Sequence, residues 1–229
     1  MTDNIERTHH QTRAFQPDKL SPPRDFMLPN IIVENTAEKK SSAPLILEIG
    51  AGKGKHALSF AAQNSDKHLI AIERTRNKFD AFAKLAKQQH LSNLTPIHAD
   101  AIAWTVHAIR PNSIAKIFIL YPNPEQHNPN QQWLNMPFFE FLLSRLQEGG
   151  EVILVTNIEA YIDNAEQQAN EIWCLPNTRS QVPKDSQRTH FEVKYLARDE
   201  VCWELKMHKP EGYKTRFDNW KAETIDNNK

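Results

Sequence analysis

The sequence predicts an α/β fold: a doubly wound, mostly parallel sheet with helices on both faces, ending in a C-terminal antiparallel hairpin. Three observations point there. Short apolar runs alternate with helix-patterned stretches from Leu45 onward, as βαβ units do. The runs are apolar at consecutive positions, which suits strands covered on both faces. Period-two alternation comes only near the end, in "HFEVKYLARDEVCWELKMH" (190–208), where two such runs flank "ARDE".

The elements follow in order. Residues 1–43 are polar with short apolar stretches and read as a flexible arm, in which "FMLPNIIVE" (Phe26–Glu34) is a short docking segment. "LILEIG" (Leu45–Gly50) is the first buried strand, ended by glycine, and "HALSFAAQ" (His56–Gln63) has helical spacing. "HLIAIE" (His68–Glu73) is the second strand. "NKFDAFAKLAKQQ" then places Phe79, Phe82, Ala83 and Ala86 on one helix face, with lysines elsewhere. "TPIHAD" (Thr95–Asp100) is a third strand, "AIAWTVHAI" (Ala101–Ile109) a helix and "IAKIFILY" (Ile114–Tyr121) a fourth strand. "MPFFEFLLSRLQEGG" (Met136–Gly150) reads as a helix stopped by its glycines. "EVILVT" (Glu151–Thr156) is the fifth strand and "EAYIDNAEQQANEIW" (Glu159–Trp173) a further helix. One domain is thus expected over residues 44–209, followed by a tail over 210–229.

Composition narrows the function. The chain has 229 residues, 39% of them hydrophobic, and a formal net charge of zero. No global positive field pulls it toward nucleic acid, although a local patch remains open. The two cysteines, Cys174 and Cys202, have neither metal-ligand spacing nor a disulfide framework, so no metal is expected. No apolar run approaches the ~18 residues of a membrane helix. The N-terminus lacks the apolar core of a signal peptide, so the expected place is the cytoplasm.

The first chemical motif is "LEIGAGKGKH" (Leu47–His56). Gly50, Gly52 and Gly54 fall between a strand and a helix, where glycine permits positive φ and close backbone approach to a ligand. The spacing is G-x-G-x-G. The dinucleotide fingerprint needs a third glycine at the position Lys55 occupies. Glu73 ends the second strand ~20 residues on, where a carboxylate accepts from both ribose hydroxyls of a nucleoside. Asp100 ends the third strand, in reach of an adenine amino group. Together these fit an adenosine-containing ligand without phosphate, and S-adenosylmethionine is the candidate, with Glu48 close enough to hold its amino-acid end or the loop.

The second motif is the loop after the fourth strand, "YPNPEQHNPNQQW" (Tyr121–Trp133). It holds three prolines, three asparagines and three glutamines, and no Lys or Arg occurs between Lys116 and Arg145. A neutral, proline-stiffened loop at a strand end suits a pocket floor, and Trp133 stands where it can stack on a base.

The order "LEIG"-G-x-G, "IAIERTRNK", "IHADA", "FILYPNP" resembles the bacterial tRNA (guanine-N7)-methyltransferases, over roughly Leu45 to Met207. "VTNIEAY" and "THFEVKYLARDEVCWEL" resemble that family's later motifs. The resemblance implies the Rossmann-like fold of S-adenosylmethionine-dependent methyltransferases and a tRNA partner. It implies cofactor contacts at Glu48, Gly50, Gly52, Glu73, Arg74, Asp100 and Ala101. The family's strand-four aspartate, implied to be catalytic and close to the cofactor, stands here as Asn123. His127 replaces a substrate-contacting lysine and Asn157 a substrate-contacting aspartate. The family's threonine-lysine-phenylalanine-glutamate motif becomes Thr189, His190, Phe191 and Glu192.

The departures set further expectations. The family follows its strand-four motif with a basic run, which this chain lacks. Phosphate contacts supply much of the affinity for RNA, so the basic surface for tRNA is reduced, and weak binding with a shallow salt dependence is expected. A monomer or weak dimer is expected. Two rival readings stay open: the same cofactor with another RNA or a small molecule as substrate, and a cofactor-binding relative that does not turn over.

Overall fold

The computed structural model describes residues 12–34 and 43–223. Seven strands form one sheet: β1 (Leu45–Ile49), β2 (His68–Glu73), β3 (Leu94–His98), β4 (Ile114–Leu120), β5 (Leu146–Thr156), β6 (Asn177–Gln181) and β7 (Trp203–His208). Their order is β3-β2-β1-β4-β5-β7-β6. β1 to β5 are mutually parallel, β7 runs antiparallel to β5, and β6 runs antiparallel to β7. The helices are α1 (Asn30–Glu34), α2 (Lys55–Gln63), α3 (Arg76–Gln88), α4 (Ala101–Ala108), α5 (Phe138–Arg145), α6 (Glu159–Glu171) and α7 (His190–Leu196).

β1 shows why the sheet is covered on both faces. Leu45, Leu47 and Ile49 join one core with Trp104 of α4, Phe138 of α5 and Ile162 of α6. Ile46 joins the other, with Leu58 of α2 and Phe82 of α3. Every residue of β1 is buried, as a central strand between two helical layers requires.

Four expectations change. The helix read through Gly149 and Gly150 stops at Arg145, because β5 already begins at Leu146. The helix end is held by buried Lys209, whose Nζ donates to Leu143 O (2.9 Å) and Leu146 O (2.8 Å). The sheet does end in antiparallel strands, but not as a hairpin around "ARDE", and "HFEVKYL" is not one of them. That stretch is α7, capped by Thr189, whose Oγ1 accepts from Glu192 N at 2.9 Å. Thr-x-x-Glu is a helix-start signal that outweighs the alternation. The true partner of β7 is β6, "NTRSQ", a polar edge strand with no apolar pattern to reveal it.

The docking segment expected at Phe26–Glu34 does dock, through Phe26, Leu28, Ile31 and Ile32; the flexible remainder of the arm and the tail are corrected. Within residues 12–34, Phe15, Leu20, Phe26, Leu28 and Ile31 pack on the core and Ile32 is buried in it, and His107 Nε2 meets Leu20 O at 2.8 Å. After residue 209, Tyr213 OH donates to Trp173 O (2.7 Å). Buried Arg145 donates to the carbonyls of Phe217 (2.7 Å) and Trp220 (3.1 Å). Arg216 pairs with buried Glu140, and Trp220 Nε1 donates to Asp18 (3.0 Å). Both segments lock onto the face built by α4, α5 and α6. The remaining parts of the expected arm and tail (1–11, 35–42 and 224–229) lie outside the described residues.

Candidate active site

The C-terminal ends of β1, β2, β3 and β4 open on one cleft of about 750 Å³. The strand order reverses between β1 and β4, and an open α/β sheet splits to admit a ligand at such a point.

The glycine loop forms the floor. Gly50 N and Ala51 N both donate to Ile72 O, at 2.8 and 2.9 Å, which pins the loop to β2. Gly50 (φ +80°) and Gly52 (φ +59°) are left-handed, and a Cβ on either would meet no atom within 4 Å. No protein packing demands these two glycines. Gly54 (φ +80°) differs, because a Cβ there would lie 2.0 Å from the Phe82 ring. That glycine lets α2 seat against α3.

The acids close the loop. Glu73 Oε2 accepts from Gly52 N at 2.8 Å and Oε1 from Thr75 N at 2.6 Å. One carboxylate therefore joins the glycine loop to the start of α3, and each oxygen retains acceptor capacity for a ligand hydroxyl. Asp100 caps α4, its Oδ1 accepting from Ile102 N (3.0 Å) and Ala103 N (3.2 Å). Glu48 lies on the floor, 2% exposed, with Oε2 2.9 Å from His56 Nδ1. His56 is a partner that the motif spacing does not announce. Its ring sits edge-on to Phe118, with centroids 4.7 Å apart, which fixes its orientation.

The opposite wall begins where β4 ends. Tyr121 turns the chain at φ +50° and Glu125 at φ +46°, a region that bulky residues adopt under strain and that recurs at functional sites. Tyr121 is held at both ends: its N donates to Val155 O at 2.7 Å and its hydroxyl to Glu192 Oε2 at 2.9 Å. Burial, contact with the Cys202 thiol and the Glu192 charge push the phenol pKa up, so it stays a donor. Glu192, wholly buried, also accepts from Ser186 Oγ, from Arg188 N at 3.0 Å and from Arg188 Nε at 3.2 Å. Burial pushes its carboxyl up, but the Arg188 and Ser186 hydrogen bonds outweigh that and hold it below the ordinary value.

The amides of the loop now have a structural reason. Buried Gln132 donates to Pro124 O (3.1 Å) and accepts from Asn164 Nδ2 (2.8 Å). Asn164 also donates to Asn135 Oδ1 (3.0 Å), and Asn135 donates to Pro129 O (2.8 Å). Trp133 N donates to Tyr161 OH at 3.1 Å. Neutral amides cross-link the loop without taking a charge out of water.

The cleft gathers Glu48, Gly50, Gly52, Glu73, Arg74, Asp100, Ala101, Asn123, Thr189, His190 and Phe191. Three residues expected to contact substrate are not among its lining. His127 is exposed on the loop. Asn157 donates to Glu200 Oε2 at 2.8 Å. Glu192 is spent on the Tyr121 and Arg188 contacts behind the wall. Sequence reasoning missed Lys53, Lys78 and Tyr121, which line the cleft. Tyr121 stands next to the strand-four motif, and that adjacency was the available signal. Among the described residues, no group of three or more His, Cys, Asp or Glu is placed to hold a metal ion, and no helix is long and apolar enough to cross a membrane.

The family model described as "Putative methyltransferase" matches residues 42–205. A tRNA (guanine-N(7)-)-methyltransferase of Photorhabdus laumondii subsp. laumondii is 28% identical over 196 residues, 79% of this chain and 82% of that protein. One of Burkholderia lata is 28% identical over 173 residues, 73% of this chain and 68% of that protein. A bifunctional methyltransferase of Rickettsia bellii is 33% identical over 134 residues, 57% of this chain and only 24% of that protein. Among solved structures, a 16S rRNA methyltransferase, KamB, matches with a TM-score of 0.59 at 16% identity, covering 75% of this chain and 91% of that one. An antibiotic-related methyltransferase also gives 0.59, at 14% identity, covering 88% and 98%. At these identities the two structures establish the shared fold.

Proposed function

The chain belongs to this methyltransferase family, and from that premise we propose that it methylates N7 of a guanine in tRNA, using S-adenosylmethionine. The observation that supports this best is the convergence of Gly52, Glu73, Asp100 and Asn123 on one cleft from the ends of four adjacent strands. The named relatives act on tRNA guanine, and a tRNA substrate makes this a cytoplasmic enzyme.

The residues fit the cofactor. Gly50 and Gly52 leave open space beside their Cα atoms, so the ligand can approach the backbone closely. Glu73, fixed by two backbone N–H groups, is set to accept from a ribose diol. Asp100, Ala101 and Arg74 line the same cleft, where Asp100 and Ala101 would hold the adenine and Arg74 would stand beside the ribose. Glu48, held by His56, offers a carboxylate to an ammonium group. When bound, S-adenosylmethionine supplies a methyl group on a sulfonium centre.

Guanine N7 has an in-plane lone pair and no proton, so the chain needs no general base. Its task is to align acceptor and donor, and such positioning supplies much of the rate. Asn123, exposed in the cleft, borders the base, and the carbonyl oxygen of its amide offers an acceptor dipole to the base edge that turns positive. The guanine gains positive charge as the methyl arrives, and Asn123 supplies no charge to offset it. Phe191 and His190 line the cleft and border the entering base.

The test is direct. Purified protein is incubated with tRNA and S-adenosylmethionine, and the digested nucleosides are read by mass spectrometry. We expect 7-methylguanosine. Methylation of another atom, or of no nucleoside at all, overturns the reading.

A further inference from the structure

The loop after β4 has no cation, but the wall facing it does. Lys53 and Lys55 leave the glycine loop into α2, and Arg74 and Lys78 frame the start of α3. All four line the cleft. Lys53, Arg74 and Lys78 are exposed and Lys55 is half-buried. Among the described residues none of the four has a carboxylate partner, whereas neighbouring Arg76 is paired with Asp80 at 3.7 Å. Neither α2 nor α3 carries an acid in its first turn. Helix N-termini already bear partial positive charge, so cations there are disfavoured unless an anion answers them. The two helices thus present four cations outside any ion pair to a cleft that also holds Glu48, Glu73, Asp100 and Glu125.

Glu48, Glu73 and Asp100 face the cofactor in the proposed function, and the cofactor brings an ammonium and a sulfonium of its own for them to answer, so the exposed cations of the wall are left to another anion. We propose, resting on the tRNA reading above, that the ribose-phosphate backbone of the RNA crosses this glycine-loop wall. The amide loop and the α7 side then face the target base. The basic surface expected after the strand-four motif is not simply lost; it stands on the opposite side of the cleft. Each phosphate neutralised there releases condensed counterions, so the wall sets the salt dependence of binding.

The experiment is tRNA binding by fluorescence anisotropy across a potassium chloride series. It compares wild type, a Lys53→Gln/Lys78→Gln double variant, and an Arg110→Gln/Lys214→Gln control at the other end of the strands. Calorimetry with S-adenosylhomocysteine is run on each. At about 0.7–0.9 per phosphate contact, the cleft variant should lose roughly 1.4–1.8 from the log–log slope, while the control keeps the wild-type slope. A wild-type slope in the cleft variant overturns the proposal, as does an equal loss in the control. A fall in cofactor affinity with an unchanged slope reassigns the lysines to the cofactor and also overturns it. Wild type that neither binds nor methylates tRNA removes the tRNA reading, and this proposal with it. Intact tRNA methylation with an unchanged slope removes this proposal alone.

Discussion

The two walls of the cleft are built on different principles. The cofactor wall is local. Glu73 reaches Gly52, 21 positions away, and Thr75, two away, and the glycine loop is pinned to the adjacent strand. The substrate wall is assembled from afar. Tyr121 depends on Glu192, 71 positions later, and Gln132 on Asn164, 32 later. A wall fixed by short-range backbone geometry can stay the same while its neighbour is rewritten. A wall fixed by distant side chains changes whenever one partner does, and this chain departs from its resembled family on that side.

The largest expected effect lies on the substrate wall. Glu192→Ala would leave Arg188 half-buried without one of its two carboxylates and remove the acceptor for Tyr121. Tyr121, Ser186 and Arg188 N then lose their acceptor, at about 1–3 kcal/mol for each buried group left unsatisfied, read as a shift in the denaturant midpoint. Acid should reproduce part of it. The folded Glu192 carboxyl lies below its ordinary value, so its contribution is full above the unfolded pKa and is lost as pH falls through the folded one. Stability of a Glu192→Gln variant should fall less than that of wild type as pH drops from about 5 down through the folded pKa, toward about 2. Parallel curves would mean that the hub holds nothing together.

Next come the glycines of the other wall. Gly54→Ala combines positive φ with a methyl 2.0 Å from Phe82, and the strain together with overpacking should cost about 2–4 kcal/mol. Gly52→Ala meets open space, so only the backbone term of about 1 kcal/mol applies, while cofactor affinity should fall. Equal stabilities for the two variants would erase the distinction between a packing glycine and a ligand glycine.

Smaller again is Glu73→Ala. Losing hydrogen bonds to a charged acceptor, at about 1.5–3 kcal/mol each, should weaken S-adenosylhomocysteine binding on the order of a hundredfold by calorimetry. Unchanged affinity would move the nucleoside elsewhere.

What the sequence made legible follows the same division. The first five strands and the helices between them announce themselves through apolar runs, and the cleft's cofactor residues through strand-end spacing. α7 was hidden because "HFEVKYL" alternates like a strand while its cap, Thr189, speaks for a helix. β6 was hidden because an exposed edge strand has no hydrophobic face to write into its sequence. The packing of Phe15 and Tyr213 on the core was invisible, since their partners lie across the whole chain. Asn157 and Glu192 were placed by motif position, which fixes neighbourhood but not the direction a side chain takes.

The central claim is that methyl transfer takes place beside Asn123, between these two walls. Single-turnover methyl transfer to tRNA at saturating cofactor tests it, with wild type, Asn123→Asp and Asn123→Ala compared. A group placed beside developing charge is worth about 2.7–4 kcal/mol. The Asp variant puts a carboxylate beside the charge that grows on the guanine, so its rate should match or exceed wild type, and the Ala variant should fall well below both. Equal rates in all three would contradict the account.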